Sequence, residues 1–258
     1  MAEYRKREPV NAEAEAEDMK ILIVNDDGIE SKDLVKLTET ASELGDIWVV
    51  APDRQCSAMA HRLLLGRKKE IISRMDFPAP VCGAYSVSGT PADCVKIALN
   101  VILPFKPDIV FSGINYGWNA GFDIAYSGTV AAALEARMQG IPAVAFSRQA
   151  VECSEVADRY LLSTARAVLA KEISNTEIWN VNFPGCSLEE YQGIRWDTKV
   201  AGIQMYPDAY RLIREEKSTF VVEENHMIHK EEAPAGSDLH ALFNNCISVG
   251  KIRSHVLW

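Results

Sequence analysis

Ile21-Leu22-Ile23-Val24-Asn25-Asp26-Asp27-Gly28 is the stretch on which the fold turns. Four apolar residues in a row, with no polar alternation, read as a short strand buried on both faces, the pattern of a parallel sheet. In open α/β sheets, ligands bind just beyond the carboxyl ends of such strands. Two adjacent carboxylates at that place repel each other unless a positive group joins them. A hard divalent cation that favours oxygen ligands, Mg²⁺ or Mn²⁺, is the simplest partner.

Outward from this stretch, apolar positions Leu34, Val35, Leu37, Ala41 and Leu44 predict an amphipathic helix over Asp33–Leu44, closed by Gly45. Ile47–Ala51 reads as a second buried strand stopped by Pro52, which makes a right-handed β-α-β unit. A loop runs from Arg54 to Gly66. Tyr85–Ser88 predicts a strand, and Pro91 opens a helix through Leu103. Asp108–Ser112 is a strand, followed by a Gly/Asn-rich loop from Gly113 to Gly128. Thr129–Gln139 predicts a helix capped by Gly140, Ile141–Phe146 a strand, Val156–Lys171 a helix and Trp179–Phe183 a strand. This alternation predicts an α/β, Rossmann-like, doubly wound and mostly parallel sheet over residues 19–185. After Pro184 the pattern changes. Gly193–Ala201, Ser218–Glu223 and Ile247–Ile252 predict strands, and residues 186–258 read as a C-terminal antiparallel β extension used in oligomerisation.

The chain has 258 residues, with a formal net charge of -9 from 27 Lys+Arg against 36 Asp+Glu. That acidity argues against capture of nucleic acid polymers, though a bound cation can still attract a small phosphate. The six cysteines form no CxxC pair and no zinc-spaced cluster with histidine, so they are expected to be reduced thiols in a cytoplasmic protein. No stretch is long and apolar enough to span a bilayer, and residues 1–18 are polar, a disordered extension rather than a secretory signal.

Three loops after three core strands carry Asp26 and Asp27, then Ser57, then Asn115. In a parallel sheet they emerge on one edge, where two carboxylates, a hydroxyl and a carboxamide oxygen make a hard-cation site. Tyr126-Ser127-Gly128-Thr129 begins a helix, and its hydroxyls and backbone N–H groups are a natural anion seat. His61 follows Ser57 in the same loop, within the reach expected of a proton donor to a leaving alkoxide. His226 and His229 are expected at the surface. A phospho-receiver module would need an acceptor aspartate after the third core strand, where this chain has Ser112 and Asn115. A catalytically silent nucleotide-binding protein is a further rival.

These motifs resemble the SurE (survival protein E) family of metal-dependent 5'-nucleotidases. The resemblance rests on ILIVNDDG (21–28), VVAPDRQCS (49–57), SGTPADCV (88–95), KPDIVFSGINYGWNAGFDIAYSGTVAAALE (106–135), WNVNFPG (179–185) and SDLHALFNNCISVGKI (237–252), in the family's order. It implies hydrolysis of nucleoside 5'-monophosphates, and of 3'-monophosphates, by metal-activated water, with one Mg²⁺ or Mn²⁺ per subunit. It also implies a swapped C-terminal element and a homodimer or homotetramer. The implied metal ligands are Asp26, Asp27, Ser57 and Asn115, with Asp26 or Asp27 handling the proton. Phosphate contacts fall on Asn119, Ser127, Gly128 and Thr129. Ala58 and Ala136 stand where the family commonly has glycine, and Met59–Leu65 departs from the family's polar run.

Overall fold

The computed structural model describes residues 18–205, 208–226 and 233–254. The extension 1–17, His229, His255 and the side chain of His226 lie outside the described residues. In chain order the elements are β1 (Met19–Val24), α1 (Lys32–Ala41), β2 (Gly45–Pro52), β3 (Ile71–Ser73), β4 (Gly83–Val87), α2 (Pro91–Ile97), β5 (Ile109–Tyr116), α3 (Gly128–Met138), β6 (Ala143–Arg148), α4 (Glu155–Leu169), β7 (Glu177–Phe183), β8 (Ile194–Thr198), β9 (Asp208–Glu216), β10 (Thr219–His226), α5 (Asp238–Phe243) and β11 (Ile247–Arg253).

Nine strands form one sheet in the order β3-β4-β2-β1-β5-β6-β7-β11-β8. The run from β4 to β7 is parallel, while β3 and β11 enter antiparallel to their neighbours β4 and β7. Successive residues of β1 feed opposite layers, as a pleat requires. Ile21 and Ile23 join Leu34, Leu37 and Ala41 of α1 and Val156, Leu161 and Val168 of α4. Leu22 and Val24 join Cys94 and Val95 of α2 and Val130, Ala132, Ala133 and Ala136 of α3. The small side chains of α3 let that helix lie close to the sheet. Phe111 and Phe146 meet edge to face at 5.3 Å in the first layer, a geometry worth about 0.5–1.5 kcal/mol beyond burial.

Chain direction across the sheet sets the place of the site. From β1 the chain moves outward through β2 and β4, then returns to lay β5 on the other side of β1. The crevice beyond the carboxyl ends of β1 and β5 is therefore the topological switch point, where doubly wound sheets bind ligands. Gly28, with φ of +92°, turns the chain there, and Asn25 Nδ2 donates to its carbonyl at 2.9 Å.

Several boundaries differ from the sequence reading. α1 stops at Ala41, and Gly45 opens β2 instead of capping a helix; the position needs glycine because a Cβ there would fall 2.0 Å from the Met19 carbonyl oxygen. The helix begun by the Thr90 capping box and Pro91 changes to a π turn over Ala98–Ile102. β5 continues to Tyr116, so Asn115 stands at a strand end and not in a loop. A 3₁₀ segment, Gly121–Tyr126, fills part of the Gly/Asn-rich stretch. The antiparallel extension is present as the hairpin β9–β10, a separate two-stranded sheet. The elements β3, β9 and α5 have no counterpart in the sequence reading. All six cysteines are free, and among the described residues no helix is long and apolar enough to cross a membrane.

Candidate active site

Asp26 leaves the end of β1 with 3% of its surface exposed. Its carboxylate accepts from Thr129 twice: from the hydroxyl at 2.6 Å and from the backbone N–H at 3.2 Å. The start of α3 thus grips the carboxylate directly. The approach is so close that a Cβ on Gly128 would lie 2.9 Å from the Asp26 side chain. The Asp26 carbonyl accepts from the Cys56 N–H at 2.7 Å, which ties the loop carrying Ser57 to the same point. In that loop Ala58 and Ala60 have φ of 54° and 49°, and the Ala60 N–H donates to the Tyr126 carbonyl.

Asp27 is half-buried, and its Oδ2 accepts from the Tyr116 N–H at 3.0 Å, which links β1 to the end of β5. Ser57 Oγ accepts from Gln55 Nε2 at 3.0 Å. Asn115 spends its amide nitrogen on the Gly117 carbonyl at 2.7 Å, which leaves its Oδ1 as the atom it can offer a ligand.

Asp26, Ser57, Asn115, Asn119 and Ser127 line one cleft of about 690 Å³. Asp27 adjoins it through Tyr116. Gly128 and Thr129 stand behind Asp26, and Thr129 is wholly buried. Ser127 Oγ caps α3 by accepting from the Val130 N–H at 3.0 Å. Asn119 is held from all sides: its Nδ2 donates to Ser147 Oγ, its N–H to Asn182 Oδ1, and its carbonyl accepts from Asn180 and Asn182. The structure thus separates the sequence-predicted phosphate set into two cleft residues, Asn119 and Ser127, and two residues that back Asp26.

Burial pushes the Asp26 carboxyl up to about 6; the neighbouring Asp27 charge adds to the rise and the Thr129 hydroxyl opposes it. Burial also raises Asp27, with the Tyr116 N–H opposing and the Asp33 charge assisting. Among the described residues, neither aspartate has an ion pair with Lys or Arg. Nor does any group of three or more His, Cys, Asp and Glu side chains there suit a metal. A cation drawn to this pair would complete its shell from a hydroxyl, an amide oxygen or solvent, and Ser57 and Asn115 present those atoms. The donor set is all oxygen and carries two negative charges, which fits Mg²⁺ or Mn²⁺.

His61 stands elsewhere. It lines an adjoining cavity of about 550 Å³ and pairs with Glu135 at 2.9 Å. The sequence reading assigned no site role to the rings of Tyr116, Trp118, Tyr126 and Tyr210 or to the Asp123 carboxylate, all of which line the cleft. Trp118 and Tyr126 lie inside the Gly/Asn-rich stretch, whose composition signals a turn and says nothing of an aromatic wall. Tyr210 belongs to β9, which had no strand signal.

Comparison with known proteins matches residues 21–205 to the family described as "Survival protein SurE". A protein of Pelobacter propionicus named 5'-nucleotidase SurE is 42% identical over 175 residues, 67% of this chain and 68% of its own length. One of the same name from Trichormus variabilis is 34% identical over 254 residues, 93% of this chain and 94% of its own. The crystal structure of the Sure protein from Aquifex aeolicus superposes with a TM-score of 0.77 at 34% identity, covering 90% of this chain and 92% of that one.

Proposed function

The chain belongs to the SurE family, and on that footing we infer that it is a 5'-nucleotidase, cleaving nucleoside 5'-monophosphates to nucleoside and phosphate. The observation that carries this reading is the Asp26 carboxylate, buried without a cationic partner at the switch point, in the same cleft as Ser57, Asn115 and Ser127. Asp26, Asp27, Ser57 and Asn115 would hold one divalent cation. Such an ion supplies positive charge for a phosphoryl group and acidifies water near neutral pH.

The chain's own residues do the rest. Thr129 fixes both oxygens of Asp26, so this carboxylate keeps one orientation. Asp27 is the more solvent-accessible of the pair and is the group proposed to take the proton of the attacking water. Ser127 still has its hydroxyl proton to donate, and the Gly128 N–H opens the first turn of α3. Ser127, in the cleft lining, would meet a phosphate as it gains negative charge, with the Gly128 N–H next to it at the helix start. Asn119, locked by Ser147 and Asn182, offers a rigid wall instead of an adjustable hand. The same residues would serve a 3'-monophosphate if its phosphate reached the same seat. We assign the hairpin β9–β10 to self-association in a dimer or tetramer, because it exposes Leu212, Ile213, Phe220 and Val222 away from the main sheet.

Phosphate release from AMP and GMP by the purified full chain with Mn²⁺ tests this reading. Activity that is lost with EDTA and with Asp26→Asn supports it. Metal-loaded protein that releases no phosphate from a panel of 5'- and 3'-nucleotides overturns it.

A further inference from the structure

Tyr116 ends β5, directly after Asn115, and 49% of its surface is exposed. The residue lines the cleft. Arg148, its partner in the β5–β6 register, stands over the ring with Cζ 4.7 Å from the centroid, and is not itself part of the cleft lining. The guanidinium is immobilised in turn. Its Nε and Nη2 reach the Asp33 carboxylate at 3.0 Å, and its Nη1 donates to the carbonyls of Val151 at 2.8 Å and Gln149 at 3.2 Å. The Tyr116 backbone is fixed as well, through its N–H bond to Asp27.

The result is an aromatic ring backed by a clamped cation, with open area on the cleft and a main chain tied to the carboxylate pair. Such a ring offers a flat apolar face at little entropic loss on binding, because it is already held. Every nucleobase has a π-face that can use it, whatever its hydrogen-bonding edge. Tyr126 and Tyr210 also line the cleft, but Tyr116 is the one with Arg148 behind it.

Resting on the nucleotidase reading, we propose that Tyr116 is the stacking platform for the nucleobase, the residue that makes this site prefer nucleoside monophosphates to phosphate esters without a base. Arg148 and Asp33 are positioning residues that act through its ring.

The test compares wild type, Tyr116→Leu and Tyr116→Trp in the metal-loaded full chain on AMP and on ribose 5-phosphate, with adenosine binding measured separately by calorimetry. Tyr116→Leu is expected to lower kcat/KM for AMP about tenfold, chiefly through KM, the low end of what one base–aromatic stack contributes. It should weaken adenosine binding by the same factor and change ribose 5-phosphate turnover less than about twofold. Tyr116→Trp should keep AMP turnover and adenosine affinity. An equal loss on both phosphate esters, or unchanged adenosine affinity in Tyr116→Leu, overturns the proposal. If wild type cleaves neither ester, the nucleotidase reading falls, and the calorimetric comparison still decides the role of Tyr116.

Discussion

Asp26 and Glu135 are carboxylates equally withdrawn from solvent, each 3% exposed, and both belong to the surroundings of α3. One is gripped by the helix's first turn and the other projects from its body. Their acidities nonetheless move in opposite directions. Burial drives Asp26 up to about 6, and the hydrogen bonds from Thr129 only moderate it. Burial also pushes Glu135 up, but His61, Gln139 and Lys96 overcome that and pull it down to about 2. Three donors reach it: His61 at 2.9 Å, Gln139 at 2.9 Å and Lys96 at 3.3 Å. Glu135 has a cation, Lys96, built in. Asp26 has neutral donors and a second acid beside it. In the proposed reading, a buried carboxylate left in that state is where positive charge would arrive from outside the chain.

The largest effect expected is on turnover. Asp26→Asn should lower kcat/KM for AMP by roughly a thousandfold, as loss of a charge-stabilising group at a reacting centre does, while Glu135→Gln stays within a few-fold. Comparable losses in both would erase the distinction between the two carboxylates.

Next comes stability against pH in EDTA. A carboxyl raised from 3.8 to about 6 on folding favours the folded state below pH 3.8 and loses that contribution as pH rises through 6. At roughly 1.4 kcal/mol per pH unit, this is about 3 kcal/mol by pH 7.5. Urea titrations of wild type and Asp26→Asn at pH 5 and pH 7.5 check it. The difference between the two proteins should shift toward the variant at the higher pH, and Mn²⁺ should restore the wild type there. An Asp26→Asn difference that does not change with pH would remove the electrostatic account.

Thr129→Val keeps the shape and deletes the hydroxyl that accounts for the shorter bond to Asp26. Metal affinity should weaken about 10–100-fold, the usual range for a partner that orients a ligand. Titration with Mn²⁺ followed by electron paramagnetic resonance reads it directly.

The built-in cluster gives smaller changes. Glu135→Gln should cost about 1–2 kcal/mol by chemical denaturation at neutral pH. The wild type's advantage should fade as pH drops from 4.5 toward 2, since a depressed carboxyl loses its contribution on protonation. Lys96→Met should cost under about 1 kcal/mol, because its side chain is 43% exposed and the pair is screened by water.

The sequence is informative where chemistry is local. The apolar run of β1 and its terminal Asp-Asp-Gly state both a buried strand and a charge problem at its end. Ser127 announces a helix start, and its capping bond to Val130 is there. Features that depend on register are silent in the sequence. Tyr116 meets Arg148 because β5 and β6 pair with a slip between Ser112 and Asn115, which no periodicity reveals. Gly45 reads as a helix end in the sequence, and only the closeness of the Met19 carbonyl, from the neighbouring strand, shows why glycine stands there. Thr129 reads as an anion donor, but the nearest anion is the protein's own Asp26, 103 positions earlier in the chain. Spacing alone could not distinguish that carboxylate from a phosphate.

This last contact has a spectroscopic consequence. First-turn amides of a helix have no carbonyl partner within it and ordinarily exchange readily with solvent. The Thr129 amide is committed to Asp26 at 3.2 Å, inside the core. Its deuterium uptake therefore tracks how firmly that carboxylate is held, making one backbone hydrogen a native reporter of the site that needs no substrate.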